Sequence, residues 1–216
     1  MSEIYLTLVR DRKECRLCEP LGLTNPAVCG DGLYDSDHIG PWSKWHGNLN
    51  AELMVVGQDW GDTTAYIGHR GIEDPQNATN KVLVGLVRSV GLDMDAVFLT
   101  NAVLCLKEGG CQAPVNKEWF RNCGERFLKP TIEIVKPRVL VTLGEHAYRS
   151  VALLFGVLPA LFNQAVNYPK GFMLPQGTLF FPMYHCGARI LNTYRNLDKQ
   201  KEDWLRVKRA LQHSPT

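Results

Sequence analysis

An α/β fold is predicted: three α/β/α layers around a central four-stranded parallel sheet. Strand-like and helix-like segments alternate along the chain, and the strand candidates are apolar throughout rather than at every second residue. Uniformly apolar strands indicate a sheet buried on both faces. The 216 residues, 45% of them hydrophobic, suit one domain spanning 1–216 with a substantial core.

The elements follow in order. Residues 1–50 are expected to hold an N-terminal helix and a long ordered loop, because CEPLGLTNPAVCGDG is rich in Pro, Gly and Asn. ELMVVG, closed by Gly57, reads as the first buried strand. Thr79 or Asn80 is expected to cap a helix carrying Val82, Leu83, Leu86, Val87 and Val90 on one face. AVFLTNAV is the second strand. Asn116 then caps a helix with Trp119, Phe120, Cys123 and Phe127 on one side, which Pro130 should break or restart. RVLVTLG is the third strand, followed by a helix near Glu145–Phe155, and GTLFFPMYH is the fourth. The stretch from about Asn196 to Gln212 has the pattern of an amphipathic helix with Trp204, Val207 and Leu211 inward.

Composition sets outer bounds. A formal charge of +2 neither demands nor excludes a nucleic-acid partner, so DNA contact would need a local basic patch. No run of about 18 apolar residues is present, so no membrane span is expected. MSEIYLTLVRDRKEC lacks the apolar stretch of a signal peptide. Seven cysteines, an odd number, fit a reducing cytoplasmic setting in which they are free, metal-bound or catalytic. The expected state is a monomer.

Open parallel sheets bind ligands outside the carboxyl ends of their strands. Gln58, Asp59 and Trp60 follow the first strand and Asn101 ends the second; Gly144 and Glu145 follow the third, and His185 follows the fourth. An acid, an amide and a histidine are therefore expected on one edge. A carboxylate can orient a water or face a developing cation. A histidine can donate a hydrogen bond to an oxygen gaining negative charge, and one such donor is worth roughly 3–4 kcal/mol. A planar amide can read the edge of a heterocycle. Each residue taken singly serves equally well as a helix cap or loop brace; their common position after successive strands favours a site.

MVVGQDWGD, FLTNAVLC, RVLVTLGEHA and YHCGARILN resemble, in order, the motifs of the uracil-DNA glycosylase superfamily. The resemblance runs from about Cys15 to Asn192. CRLC with Cys105 and Cys123 is similar to the iron–sulfur branch of that superfamily. The resemblance implies a DNA partner and hydrolysis of an N-glycosidic bond, with Asp59 activating water, Asn101 reading the pyrimidine and His185 stabilising charge on its O2. Gln58 belongs to the same base-binding motif. It also implies an aromatic stacked on a flipped base, Tyr66 first and Trp60 second, and a duplex wedge at Arg189, with Gly187 beside the DNA. Cys15, Cys18, Cys105 and Cys123 are implied as ligands of a [4Fe–4S] cluster. A structural zinc is the alternative from spacing alone, and Cys111 rivals Cys105. Cys29 and Cys186 are read as non-ligands.

The chain also departs from the pattern. Trp60 replaces the usual proline after the acid, and Gly61 replaces the tyrosine that blocks a thymine methyl. His185-Cys186 replaces His-Pro. Gly61 removes a wall, so a larger modified base is expected to fit. The hypotheses carried forward are a monofunctional glycosylase for uracil, a glycosylase for a bulky modified base of foreign or phage DNA, a DNA-binding module without catalysis, and a zinc-stabilised hydrolase of nucleosides or nucleotides.

Overall fold

A parallel four-strand ladder sets the position of everything else in the computed structural model, which describes residues 3–39, 48–72, 74, 76–110, 113–157 and 160–212. The strands are β1 (Leu23–Thr24), β2 (Leu53–Gly57), β3 (Val97–Asn101), β4 (Leu106–Lys107), β5 (Val139–Leu143), β6 (Phe172–Met173) and β7 (Leu179–Met183). The helices are α1 (Glu3–Glu14), α2 (Thr63–Gly68), α3 (Ala78–Ser89), α4 (Lys117–Cys123), α5 (Lys129–Val135), α6 (Glu145–Leu154), α7 (Phe162–Asn167), α8 (Ala188–Thr193) and α9 (Leu197–Gln212).

The main sheet runs β3-β2-β5-β7-β6, with the first four strands parallel and β6 antiparallel to β7. Five strands therefore replace the four expected. The extra one is a two-residue edge strand, too short to leave a periodic signal in the sequence. Its two residues pair with Phe180 and Leu179 at the start of β7.

Alternate side chains divide between the two faces, as the pleat requires. Met54, Val56, Phe98, Leu140 and Phe180 join one core cluster with residues of α1, α4, α5 and α6. Leu53, Val55, Val97, Val139, Val141 and Phe181 join the other, against Leu83, Leu86 and Val87 of α3 and Trp204 and Val207 of α9. Apolar groups on both faces explain why these strands read as unbroken hydrophobic runs.

Helix starts follow local chemistry. Asn116 caps α4 as expected, its side chain accepting from the Glu118 N–H at 2.9 Å. The cap of α3 is Asn77, not Thr79 or Asn80: its side chain accepts from the Thr79 N–H at 2.9 Å. That correction of two or three residues comes from three adjacent capping-competent residues lying in one turn. After Cys123 the chain makes a π-helical turn over 124–128, and α5 restarts with Pro130 at its first turn. Proline fits there because its missing N–H falls among the unpaired donors of a helix start.

The N-terminal segment is more ordered than a loop. Leu23 and Thr24 pair antiparallel with Lys107 and Leu106. Arg12 of α1 is 4% exposed. It donates to Asp35 Oδ1 at 2.6 Å, to the Ser36 carbonyl at 2.7 Å and to the His38 carbonyl at 3.1 Å. Asn25 returns the tie, donating to the Arg12 carbonyl at 2.7 Å and the Cys15 carbonyl at 2.8 Å. One guanidinium thus satisfies two loop carbonyls and a buried carboxylate, which Lys13 Nζ also approaches at 3.6 Å. Asp35→Ala leaves that guanidinium without its counter-charge. The expected outcome is a loss of about 3–5 kcal/mol, read as a lowered urea midpoint with an unchanged m-value.

Candidate active site

The parallel alignment puts the ends of β2, β3, β5 and β7 on one edge. Gly57 and Asn101, the last residues of β2 and β3, are register partners. The Asn101 side chain lies across Gly57, where an added Cβ would collide with Asn101 Oδ1. Glycine is thus the residue that lets the amide fold over the strand end. Beyond the ladder, the Ala102 and Val103 N–H groups donate to the carbonyls of Gly57 and Gln58 at 2.9 and 3.0 Å. Asn101 is 7% exposed, and among the described residues no protein group hydrogen-bonds its side-chain amide.

Asp59 is held from three directions. Its Oδ1 accepts from the Gly61 N–H at 3.0 Å. Its Oδ2 accepts from Gln58 Nε2 at 2.7 Å and from Lys107 Nζ at 2.9 Å. The Lys107 side chain is 3% exposed and that of Asp59 12%, so this is a nearly enclosed ion pair. The loop is fixed again through the main chain, where the Lys107 N–H donates to the Gly61 carbonyl at 3.1 Å. Gly61 has a φ of 90°, a conformation that favours glycine, and an added Cβ there would meet no atom within 4 Å.

His185 enters from the end of β7. Its Nδ1 accepts from the Gly187 N–H at 3.0 Å, which leaves Nε2 as the protonated nitrogen of the neutral ring. A Cβ on Gly187 would stand 3.0 Å from that Nδ1, so glycine also permits the approach. Gln200 of α9 donates to the His185 carbonyl at 3.2 Å. The imidazole is open to water yet closely surrounded by protein, as on a concave wall. Desolvation there pushes its pKa below 6.5, while the Asp59 charge pulls it back up. The acid and the histidine are therefore near enough to feel each other.

The aromatic pair lies elsewhere. Tyr66 is 1% exposed and meets Trp60 edge-on, with ring centroids 6.3 Å apart. Both belong to a satellite core with Cys29 and Leu106 instead of lining an open cleft. Burial pushes the Tyr66 phenol up, and the charge of Asp35 adds to the effect. Asp62 accounts for this placement: it caps α2 through the Ala65 N–H at 2.7 Å and so starts the helix that turns Tyr66 inward. Arg189 is exposed on the first turn of α8 and makes no hydrogen bond or ion pair among the described residues.

Four cysteines meet on the other side of β4. Cys15, Cys18, Cys105 and Cys123 line one small pocket together with Arg12 and Asn122. Cys18 and Cys123 share a hydrogen bond that pulls the Cys18 pKa down to about 6 and pushes that of Cys123 up. Burial raises Cys105 to about 12. Although the thiols share a pocket, among the described residues no three His, Cys, Asp or Glu side chains close on a point that would hold a single metal ion. Cys111 lies outside the described residues. Cys29 packs with Trp60 and Tyr66, away from the four, and Cys186 is buried against the opposite face of the sheet.

Sequence reasoning missed Lys107 and Gln200. Lys107 ends a buried run from Asn101, and a lysine after apolar residues reads as the point where a segment leaves the core. Gln200 had a visible signal, since it shares the inward stripe of α9 with Asp203, Trp204 and Val207. Gly144 has a φ of 92°, and an added Cβ would approach His185 Cβ at 3.7 Å.

Comparison with known proteins gives a consistent result. The family model described as Uracil DNA glycosylase superfamily matches residues 45–211. A Type-5 uracil-DNA glycosylase of Pyrobaculum aerophilum is 31% identical over 71% of this chain and 72% of its own length. A Type-4 uracil-DNA glycosylase of Saccharolobus solfataricus is 26% identical over 97% of this chain and 88% of its own. Another Type-4 enzyme, of Sulfurisphaera tokodaii, is 28% identical over 93% and 81%. Order of motifs, fold and similarity agree: the chain belongs to the uracil DNA glycosylase superfamily.

Proposed function

We propose that this chain is a monofunctional DNA glycosylase that hydrolyses the N-glycosidic bond of a flipped-out pyrimidine, uracil first, in base excision. One observation carries the reading: Asp59, Asn101 and His185 stand at the carboxyl ends of β2, β3 and β7 in one parallel ladder, and the Asp59 charge acts on His185. The relatives named as uracil-DNA glycosylases support it.

The chemistry follows from the donors present. Extracting a base from the stack costs a few kcal/mol, offset by contacts in the pocket. The Asn101 amide, without a hydrogen-bond partner among the described residues, takes the pyrimidine edge. Uracil offers an N3 donor and an O4 acceptor, and cytosine reverses both, so a fixed amide leaves mispaired groups worth about 1–3 kcal/mol each with cytosine. As the C1′–N1 bond breaks, its electron pair leaves with the base, and His185 Nε2–H donates to O2. Asp59 faces the sugar cation and orients the water whose oxygen bonds to C1′. The water's proton is released and the departing base is protonated, so the reaction balances as a hydrolysis. Exposed Arg189, beside Gly187, supplies a cation for phosphate or for the gap left by the base.

A second reading has its own observation. An added Cβ at Gly61 would meet no atom within 4 Å, and the resemblance puts a base-blocking tyrosine at this position. That favours a pyrimidine enlarged at C5, such as a modified base of foreign or phage DNA.

The pocket cysteines fit the iron–sulfur group implied by the resemblance. All four thiols share one pocket, and a cube that binds each thiolate at a different iron does not need them to close on one point, as zinc does. Cys15, Cys18, Cys105 and Cys123 would hold it. It would brace the N-terminal segment, and hydrolysis needs no electron transfer.

Three measurements test these proposals. Mass-spectrometric base release across uracil, other lesions and hypermodified DNA is expected to score uracil. Asp59→Asn lowers that rate by at least 10², while release of the larger base alone selects the second reading. Purified protein is expected to be brown and to carry equal iron and acid-labile sulfide. Cys105→Ser loses both, and a colourless zinc protein would refute the cluster. The His185 ring is expected to titrate by NMR below 6.5, and lower still in Asp59→Asn, because the carboxylate favours the charged imidazole. The unfolded chain takes up this proton first, so the histidine's contribution to stability is full above 6.5 and declines as pH falls below it.

A further inference from the structure

We propose that Lys107 is a positioning residue of the glycosylase site: its buried side-chain nitrogen holds the Asp59 carboxylate in one orientation. This inference rests on the reading of Asp59 given above.

The geometry of the carboxylate is the starting point. Two oxygens offer about four acceptor sites. Gln58 Nε2 and Lys107 Nζ occupy both on Oδ2, and the Gly61 N–H occupies one on Oδ1. One site on Oδ1 remains for a water. Lys107 thus decides which oxygen faces the reaction.

The second consideration is charge. The groups that bear on Asp59 are Lys107 from β4 and His185 from the end of β7. The nearby acids are engaged elsewhere, with Asp62 capping α2 and Glu108 accepting from Thr63 Oγ1 at 3.0 Å. Lys107 Nζ, 2.9 Å from Asp59 Oδ2, is not displaced by the substrate, because it is only 3% exposed and its backbone is tied to both Gly61 and β1.

The third consideration is what the amine does not do. A neutral lysine beside the sugar would attack C1′ and form an imine with the abasic product. Lys107 Nζ is instead engaged by Asp59 Oδ2 at 2.9 Å, so the acid and not the sugar is its partner.

The experiment is single-turnover base release from a uracil-containing oligonucleotide with four proteins: the parent chain, Lys107→Met, Asp59→Asn, and the double variant. Lys107→Met is expected to lower kcat on the order of 10²-fold with little change in KM. In the Asp59→Asn background, Lys107→Met is expected to cost almost nothing further, since its effect passes through the acid. The double variant contains no unpaired buried charge, so it separates function from folding, and a urea transition checks each protein. A full loss on adding Lys107→Met to Asp59→Asn, or a loss confined to KM, overturns the proposal. So does a covalent DNA adduct trapped by borohydride in the parent chain and lost in Lys107→Met, which would make the amine a nucleophile. If Asp59→Asn itself retains the parent rate, the reading of Asp59 fails instead.

Discussion

The register of β2 against β3 is the constraint on which this site depends. Gly57 opposite Asn101 places an amide over a strand end that no side chain obstructs. A slip of one residue would turn Asn101 to the other face of the sheet and bring Thr100 opposite the glycine. Such a slip would also exchange Phe98 with Val97 and Leu99 between two different cores, each with its own helices. The apolar packing that stabilises the sheet therefore also sets the amide's position, so fold and site are not independent choices of the sequence.

The same edge gives its acid and its histidine different surroundings. Asp59 collects three hydrogen-bond donors, one of them the Lys107 side chain. His185 collects one backbone donor at Nδ1 and loses solvation to the protein around it. Desolvation disfavours its imidazolium. In the proposed reaction the carboxylate would face a sugar that gains positive charge, and a neutral N–H donor would face a base that gains negative charge. On that proposal, environment more than residue type would assign the roles.

Much of this was legible in the sequence. The apolar runs became the four parallel strands because a strand buried on both faces has no polar alternation to hide it. Asp59, Asn101 and His185 could be singled out as candidates because such sheets bind ligands at the carboxyl ends of their strands. Other features were not legible, for identifiable reasons. Strand β6 is two residues long and owes its pairing to the partner strand. Asn77 was indistinguishable from its capping-competent neighbours. Lys107 looked like a solvated end of an apolar run, because its partner lies 48 residues earlier and only the crossing of β4 past the acid loop brings the two together. Tyr66 was read as a stacking ring from its position after the motif, but the Asp62 cap starts α2 there and rotates the ring into a private core.

The N-terminal segment poses a question of redundancy. A cluster on four cysteines would fasten Cys15 and Cys18 to β4 and α4. Yet Arg12, Asn25 and the β1–β4 pair already tie the same segment to the domain without any metal. The two sets of ties act on different bodies. Arg12 and Asn25 fasten α1 to residues 25–38, a local closure within the segment itself. The β1–β4 pair joins that segment to β4, and β4 carries Lys107. Leu23 opposes Lys107 directly. A brace across Cys105, two residues before Lys107, would therefore stiffen the strand that holds the counter-charge of Asp59. On that argument the cysteine pocket and the acid loop lie on the two sides of one short strand, and its position matters for the chemistry more than its length suggests.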